Sequence, residues 1–461
     1  MDARLAGWGR RIGNGQATDG PRAATRGAAA LQWPACWGLG LVLGTLCASL
    51  YSHGLGRAYT YDESVTVGHF VNTGSLLDPL RLQIVNNNHP LLSFLDHVVV
   101  TLTGRHDEVA MRLVPLVAAA AGVAVLTAVC ARRLGVLAGL AGGGLLGVNP
   151  FYAQEAQTAR GYTLLLLAAI VATALLLDTD PRRWKTIVYV LAIAVGVATH
   201  VYMLPVVVCH ALYLRAAGQL SWVWARRMIA GVVVGLVPVA DVLTQTATGR
   251  GHAWHPELPG DIVDLMFPGA AALILVPLGL LGFRRSAARR EVGVVLLGVF
   301  SLVAGMMVVV RPFDLYARFF CWLIPLAALS VAIAVREFRG ATIGVAAAAA
   351  IILATQFSNY GVADTANIPA ADFIDRAHAQ GMRVCGVGDT MALDAYTTSF
   401  VTVHSVSDLA SCDAAVAITL PWSRLSPDDE AAIRVRLPES TTYPAMFPAT
   451  VYWRRPSAVV P

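Results

Sequence analysis

The chain has 461 residues, of which 56% are hydrophobic and 14% charged, and its mean hydropathy is +0.60. A soluble domain is about 45–50% apolar and about 25% charged, so this composition excludes an ordinary soluble protein and indicates an integral membrane protein. The net charge of +5 is spread over short clusters beside apolar runs, which excludes nucleic acid as a partner.

The N-terminal 30 residues are polar and rich in Arg, Gly and Ala, and an apolar run from Leu31 to about Leu55 follows them. A cleaved signal peptide is the alternative, but this run is too long for a signal-peptide core and indicates an uncleaved first span. Positive residues stay on the cytoplasmic side of a membrane. We therefore expect residues 1–30 to be a disordered cytoplasmic segment and the stretch YTYDESVT at 59–66 to emerge on the outer face.

Apolar runs of about 17–25 residues recur as far as Phe357, and the arginine clusters between them fix the expected topology. About eleven spans place every cluster in the cytoplasm, with the N-terminus inside and the C-terminus outside. After the first span they are 109–131, 134–150, 162–178, 186–200, 202–217, 228–246, 263–283, 292–310, 319–335 and 341–357. Together they form a predicted all-α transmembrane domain over 31–358.

One apolar segment, residues 89–104, has to be left out of the spans to keep this topology. It is only about 15 residues long and carries Asp96 and His97, so an interfacial or re-entrant helix is predicted instead. We expect both side chains to turn toward the protein interior. Residues 57–108 then form one long outer loop.

The composition becomes mixed after Asn359, which predicts a small extracytoplasmic α/β domain over 359–461. ADFIDRAHAQ favours a helix, and MRVCGVG, TTSFVTVHSV and AAVAITL favour strands. No nucleotide-binding glycine motif, metal cluster or nucleophile elbow occurs there, so an accessory role is expected. Cys385 and Cys412 lie in this domain and could pair outside the cytoplasm, although their spacing does not establish it.

Asp62 and Glu63 form an acidic pair just beyond the first span. A solvated loop or a helix N-terminus, where carboxylates are favoured, is the simplest explanation. Other polar residues also meet the outer surface next to spans, and ionisable residues at that depth usually serve a site or pathway. These are Asn88, His89, Gln154, Glu155, Arg160, Tyr162, His200 and Arg318.

The order of these motifs resembles that of the GT-C polytopic glycosyltransferases. The most similar members are the bacterial relatives of the dolichyl-phosphate-mannose-protein mannosyltransferases, in glycosyltransferase family 39. YTYDES resembles the first-loop acidic motif of that family, and NNHPLLSFLDHVVVTLTG resembles its His-Pro helix. EVAMRLVPLVAAAAGV, NPFYAQEAQTARGYTLLLL and residues 199–214 follow in the family's order, and YARFFCWLIPLAALSVA is similar to its late Arg-Tyr span. Leu91 replaces a usual proline and Phe319 a usual tyrosine, which weakens any transfer of acceptor identity.

The resemblance covers about residues 35–335 and implies a plasma-membrane enzyme of bacterial type. Such an enzyme takes a sugar from a polyprenyl phosphate carrier, whose tail lies among the spans, and transfers it to a hydroxyl group on the outer side. Mannose is the expected sugar, with arabinose or glucose as alternatives. The acceptor could be a protein, a glycolipid or a polysaccharide.

The resemblance also implies roles for the outer residues. Asp62 matches the catalytic base, and Glu63 orients Asp62, holds the acceptor or contributes to a divalent ion. Arg160 is the first candidate for the donor phosphate and Arg318 the second. The implied pocket residues are Asn88, His89, Gln154, Glu155, Tyr162 and His200. Some enzymes of this type use a divalent metal, for which Asp62, Glu63 and His89 could offer oxygen and nitrogen ligands. The mannosyltransferases of the most similar type need none, so no cofactor is assigned.

Two other classes of function compete with this interpretation. A transporter or lipid flippase predicts inverted repeats and ionisable residues near the bilayer midplane, and the sequence has no such repeat. A scaffold with the same fold and no activity would not need an acidic pair together with Arg160.

Overall fold

The computed structural model describes residues 32–82, 88–178, 182–240, 259–286, 317–338, 340–356, 367–403, 405–420, 424–445 and 448–454, with a few residues between 289 and 298. The N-terminal segment predicted to be disordered, and nearly all of the span predicted over 292–310, lie outside these ranges. The chain forms two compact units. Unit 1 comprises residues 1–53, 114–157 and 161–360, and unit 2 comprises residues 54–113, 158–160 and 361–461.

The described residues form eighteen α-helices and five strands. In chain order the helices are α1 (Trp33–Ser52), α2 (Tyr61–Thr66), α3 (Asp78–Arg81), α4 (Pro90–Thr103), α5 (Glu108–Met111), α6 (Leu113–Leu134), α7 (Val136–Val148), α8 (Pro150–Glu155), α9 (Tyr162–Leu176), α10 (Arg183–Thr199), α11 (Met203–Ala216), α12 (Trp222–Leu236), α13 (Pro259–Met266), α14 (Ala272–Arg285), α15 (Leu323–Glu337), α16 (Ala341–Gln356), α17 (Asn367–Ala379) and α18 (Pro427–Arg436). The strands are β1 (Val384–Val387), β2 (Val401–Val403), β3 (Ala414–Ile418), β4 (Glu439–Tyr443) and β5 (Ala449–Trp453).

Unit 1 is built from the apolar helices. Three stretches within the described residues are long and apolar enough to cross a membrane: Trp33–Ser52, Glu108–Leu134 and Trp222–Val239. Several further apolar helices are shorter, at 13–16 residues. The mostly helical architecture with recurrent apolar helices is the one predicted, whereas the number of spans and their direction stay predictions.

Small residues let the helices of unit 1 approach each other closely. A Cβ atom added at Gly282 would collide with the backbone oxygen of Ser330, and one at Gly143 with the hydroxyl of Thr127. Such close helix contacts are typical of membrane bundles, which rely on tight packing because lipid supplies no hydrophobic driving force between helices.

Unit 2 contains a five-stranded sheet of order β2-β1-β3-β5-β4. β1 pairs in parallel with β2 and β3, and β5 pairs antiparallel with β3 and β4. The helix and three of these strands were predicted, whereas β4 and β5 were not.

Both faces of the sheet are covered, because alternate residues of the central strands are buried on opposite sides. Val384, Val416 and Val451 pack on one face with α17, and Cys385 and Tyr452 pack on the other face. Helix α18 covers that second face through Ile433. The described part of 361–461 is thus a three-layer α/β fold.

A disulfide joins Cys385, in β1, to Cys412, just before β3. It links two neighbouring strands within the second buried face of the sheet. The remaining five cysteines are buried and unbonded to each other.

Unit 2 also contains the first loop, residues 57–108, whose helices share hydrophobic packing with the C-terminal segment. Tyr61 packs against the core on the α17 face of the sheet, and Ala395 and Tyr396 pack against the loop residues Tyr59 and Val67. The compositional change near Asn359 lies close to the boundary at residue 360. Unit 2 therefore groups this loop with the C-terminal segment, and the domain bounds predicted at 31–358 and 359–461 stay predictions.

Candidate functional site

The two acidic residues of YTYDES lie in the first turn of the short helix α2. Thr60 caps this helix: its Oγ1 accepts the Glu63 N–H at 3.4 Å, while a Glu63 carboxylate oxygen accepts the Thr60 N–H at 2.9 Å. This capping box fixes the start of the helix. Consecutive residues of a helix project about 100° apart. Asp62 and Glu63 therefore face different surroundings.

Glu63 faces the interior and is completely buried. Arg112 binds its carboxylate with two parallel hydrogen bonds, from Nε to Oε1 at 2.8 Å and from Nη2 to Oε2 at 3.0 Å. The Ala159 N–H adds a third donor to Oε1 at 2.8 Å. Burial raises the pKa of Glu63, but the charge and hydrogen bonds of Arg112 outweigh it and hold that pKa below its ordinary value of 4.5. The residue is a fully satisfied anion.

The other N–H groups of Arg112 donate hydrogen bonds to the segment that leads into α2. Its Nη1 donates to the carbonyl oxygens of Leu55 and Arg57, each at 2.6 Å, and its Nη2 donates to that of Ala58 at 3.1 Å. Its side chain is also completely buried. All five guanidinium N–H groups are thus engaged, because the remaining two bond Glu63. The pair ties residues 55–58, helix α2 and the segment after α5 into one unit.

Asp62 faces outward and is 37% exposed. The Nη2 of Arg160 lies 3.6 Å from its Oδ2, and the Arg160 side chain is only 7% exposed. Ala159 donates to Glu63, and the following residue, Arg160, pairs with Asp62. The two neighbouring acids therefore contact two neighbouring residues of one segment. The arrangement presents an accessible carboxylate beside a buried guanidinium, which is suited to proton transfer next to a bound anion.

Asn88 and His89 lie at the start of α4 in the same unit. Asn88 donates to the carbonyl oxygens of Pro79 and Leu82 at 3.0 and 2.9 Å and accepts from the Ser93 hydroxyl at 2.8 Å. This network links Asn88 to the end of α3 and to the first turn of α4. His89 is the residue before the first helical position of α4 and is 1% exposed.

The remaining predicted residues lie in unit 1. The rings of Tyr162 and His200 stack with centroids 5.8 Å apart, and His200 lies 3.8 Å from the ring of Tyr202. Glu155 is buried, whereas Gln154 is exposed. Arg318 belongs to the short 3-10 helix Ala317–Phe320, whose Phe319 packs against Tyr202 at 4.7 Å. Thus Tyr162 and His200 are brought together, and Arg160 and Arg318 fall in different units.

The residues considered for a divalent metal do not suit one. Within the described ranges, no group of three or more His, Cys, Asp or Glu side chains could hold a metal ion. Of the three proposed ligands, Glu63 already accepts hydrogen bonds from Arg112, Thr60 and Ala159.

Two solved structures are similar to the chain over nearly their whole length. No protein-family model and no curated protein matches it. ArnT from Cupriavidus metallidurans in the apo state matches with a TM-score of 0.61 and 14% identity, covering 91% of this chain and 98% of that one. ArnT bound to undecaprenyl phosphate matches with a TM-score of 0.58 and 14% identity, covering 90% and 98%.

The chain has the GT-C fold. This confirms the helical membrane fold predicted from the order of the motifs, and the small C-terminal sheet predicted from composition is present as well. At 14% identity the similarity concerns the fold. The roles of individual residues therefore have to be argued from the geometry of this chain.

Arg112 is the part of the site that the sequence analysis did not single out. It is the one charged residue in the apolar stretch VAMRLVPLV, which begins a predicted span. A buried arginine needs an anion, so this position was a detectable signal. The structure also breaks the helix there, because α5 ends at Met111 and α6 begins at Leu113.

Asp96 is a second buried acid of the first loop, residues 57–108. It lies on the buried face of α4 and is 0% exposed, as predicted for a residue that turns inward. Neither carboxylate oxygen has a hydrogen-bond partner among the described residues. Burial raises its pKa well above the ordinary value of 3.8. Asp96 thus stays neutral up to a higher pH than an ordinary aspartate does.

We expect Asp96→Asn to stabilise unit 2 increasingly as the pH rises. In the parent, the unfolded chain ionises Asp96 above about pH 3.8 while the folded chain keeps it neutral, so stability is full below that pH and is lost above it. The difference in Tm between variant and parent should grow from pH 4 to pH 7. Asp408→Asn, the same substitution at an exposed position of unit 2, is the matched control. A constant difference for Asp96→Asn would contradict the raised pKa.

Proposed function

We propose that this protein is a glycosyltransferase that moves a sugar from a polyprenyl-phosphate donor to a hydroxyl acceptor at the outer face of the plasma membrane. The observation that carries the proposal is the accessible Asp62 carboxylate 3.6 Å from the buried guanidinium of Arg160. The similarity in fold to a protein solved with undecaprenyl phosphate supports a lipid phosphate as the donor. Mannose is the proposed sugar, on the resemblance to family 39, with arabinose and glucose as alternatives.

In the proposed reaction Asp62 is the general base. Its carboxylate takes the proton of the acceptor hydroxyl while that oxygen forms a bond to the anomeric carbon of the sugar. The bond between the anomeric carbon and the phosphate oxygen breaks, and its electron pair leaves on the polyprenyl phosphate. That leaving group is already an anion of moderate basicity, so charge stabilisation suffices without a general acid.

Arg160 is proposed to bind the phosphate of the donor. A guanidinium can hold two phosphate oxygens with parallel hydrogen bonds, and a largely buried one is screened less by water. Its position beside Asp62 would bring the leaving group and the base to the same reacting carbon. Arg318, Gln154, Glu155, Tyr162 and His200 stay proposals for the donor pocket, as do Asn88 and His89 in unit 2.

Glu63 is proposed to orient the site, and not to hold the acceptor or a divalent ion. Its carboxylate is buried and engaged with Arg112, Thr60 and Ala159, so an acceptor or a metal would have to displace strong hydrogen bonds. By holding Ala159 it fixes the segment that carries Arg160. Of the alternatives weighed for this residue, the geometry favours an orienting one.

We propose that unit 2 faces the extracytoplasmic side. The Cys385–Cys412 disulfide supports this, because disulfides persist in oxidising compartments and are rare in the cytosol. The arginine-rich N-terminal segment, predicted to be cytoplasmic, agrees with the same orientation.

The experiment that tests the function is an assay of the purified full-length protein in lipid nanodiscs. A panel of polyprenyl phosphates carrying mannose, glucose or arabinose is offered with peptide, glycolipid and polysaccharide acceptors, and mass spectrometry follows donor loss and acceptor gain. Transfer from one donor with release of polyprenyl phosphate is the expected result. Movement of intact donor across vesicle membranes without transfer would instead support a flippase.

Removing the charge of Arg160 should weaken donor binding. A charge-assisted hydrogen bond contributes about 1.5–3 kcal/mol, so Arg160→Gln should raise the KM for the donor by about 10- to 100-fold. Arg160→Lys keeps the charge but not the planar fork, and an intermediate KM is expected. Steady-state kinetics with varied donor concentration provides the measurement.

Arg105→Gln is the matched control for Arg160, because Arg105 is an exposed arginine of the same unit that bonds Asp107. It should leave the donor KM unchanged. A fall in kcat at unchanged KM in Arg160→Gln would contradict phosphate binding, because it would mean that Arg160 acts on Asp62 alone.

A further inference from the structure

The helix that carries Asp62 is held by the C-terminal segment of unit 2. The Tyr61 hydroxyl donates to Oδ2 of Asp389 at 2.7 Å, and the Tyr61 ring packs against the core on the α17 face of the sheet. Tyr61 is the residue directly before Asp62. A hydrogen bond from a tyrosine to a carboxylate is charge-assisted and directional. The contact therefore restrains the first turn of α2 at the point where the proposed base emerges.

Further contacts restrain the backbone at the start of α2. The N–H of Tyr59 donates to the hydroxyl of Tyr396 at 2.6 Å, and that hydroxyl donates to Glu108 at 3.3 Å. The side chain of Asn367, the first residue of α17, is 3.4 Å from the carbonyl oxygen of Tyr59. Three separate positions of the C-terminal segment, 367, 389 and 396, thus contact residues 59–61.

The other end of the helix is held as well. α2 continues into a π-helix over Val67–Val71, where His69 Nε2 lies 2.9 Å from Oδ2 of Asp394. A Cβ atom added at Gly68 would lie 3.0 Å from the carbonyl carbon of Asp394, so the two backbones are packed closely there. Asp62 lies between these two sets of contacts.

We infer that the C-terminal segment is a positioning element of the active site and that Asp389 acts on Asp62 through the Tyr61 hydroxyl. The inference rests on the proposed function. A general base must lie within hydrogen-bond reach of the proton it takes, and a displacement of 1 Å can cost about 100-fold in rate. A helix of only six residues has little stability of its own, so its position depends on such contacts. The domain predicted to be accessory is here part of the catalytic unit.

The test removes the hydroxyl and keeps the ring. Tyr61→Phe should lower kcat by about tenfold through a displacement of less than 1 Å, with the KM for the donor unchanged, because Arg160 is untouched. Asp389→Ala should have the same effect, and the double variant should lower kcat no further than either change alone. Asp389→Asn keeps an acceptor oxygen for Tyr61 and should restore most of the parental kcat.

Two measurements separate positioning from general damage to the fold. Glu430→Ala removes a hydrogen-bonded carboxylate from α18, which covers the opposite face of the same sheet, and it should leave kcat unchanged. Hydrogen exchange at the amides of residues 62–66 should be faster in Tyr61→Phe than in the parent, with unchanged exchange in β3. This second measurement does not depend on activity.

The outcomes distinguish this inference from the proposed function. If the parent transfers no sugar from any donor, the proposed function fails and the positioning role fails with it. If the parent transfers sugar but Tyr61→Phe keeps the parental kcat and exchange, the positioning role alone is overturned. An effect on KM in place of kcat would overturn it too.

Discussion

Asp62→Asn should abolish sugar transfer while leaving the protein folded. A positioned general base contributes about 10²- to 10⁴-fold to a rate, so kcat should fall by at least about 100-fold. The amide has the size of the carboxylate but accepts no proton at neutral pH. Because Asp62 is partly exposed in the first turn of α2, its loss costs a helix-dipole interaction of about 0.3–1 kcal/mol together with the ion pair to Arg160, which water screens in part. The KM for the donor should change little.

The assay compares three variants with the parent in the same nanodiscs. Asp62→Glu keeps a carboxylate one methylene further out and should retain partial kcat. Asp78→Asn is the matched control, since Asp78 begins another short helix of the same loop, α3, and has no proposed role in the reaction. Exchange protection of the β-sheet amides reports folding. Full transfer by Asp62→Asn would end the assignment of Asp62 as the base.

In the sequence only the resemblance to family 39 separated Asp62 from Glu63, because the two acids are neighbours with the same chemistry. What separates them is the helix geometry, which turns one outward and the other toward Arg112 and Ala159, 49 and 96 residues away. One local signal was available. The stretch from Thr60 to Glu63 has the spacing of a capping box, which predicts that the glutamate is engaged at the helix start.

The architecture was more predictable than the site. Apolar periodicity located most of the helices of unit 1, and the buried runs located β1 and β3, because these patterns depend on nearby residues. β5 was not predicted from the sequence, although it is an inner strand of the sheet, between β3 and β4. The attachment of Asp389 and Asp394 to the first loop could not be predicted, because it joins segments more than 300 residues apart.

The Glu63–Arg112 pair should have the largest effect on stability. Glu63→Gln would leave the Arg112 charge buried without its counterion, which costs about 3–5 kcal/mol. The amide could still accept one hydrogen bond, but its NH₂ group would face the Arg112 donors. We therefore expect residues 55–66 and the segment around Ala159 to open far more readily. The free energy of opening is measured by hydrogen exchange at the amides of α2.

The dependence on pH identifies the ion pair as the cause. The pKa of Glu63 lies below its ordinary value of 4.5 in the folded protein, so its contribution to stability is present above that pH and is lost as the pH falls through the folded pKa. The difference between parent and Glu63→Gln should therefore shrink in acid. The double variant Glu63→Gln, Arg112→Met, which leaves no buried charge, should recover part of the loss.

A surface pair in the same unit provides the comparison for this effect. Glu430 and Arg434 form a salt bridge on α18 with both side chains nearly half exposed, so Glu430→Gln should change the free energy of unfolding by less than about 1 kcal/mol. If Glu63→Gln has an effect as small as that, Glu63 does not hold the site together. That result would instead support the alternative in which the Glu63 carboxylate binds the acceptor. A large loss that disappears at low pH would instead assign the two adjacent acids to different tasks, with Asp62 left for the chemistry.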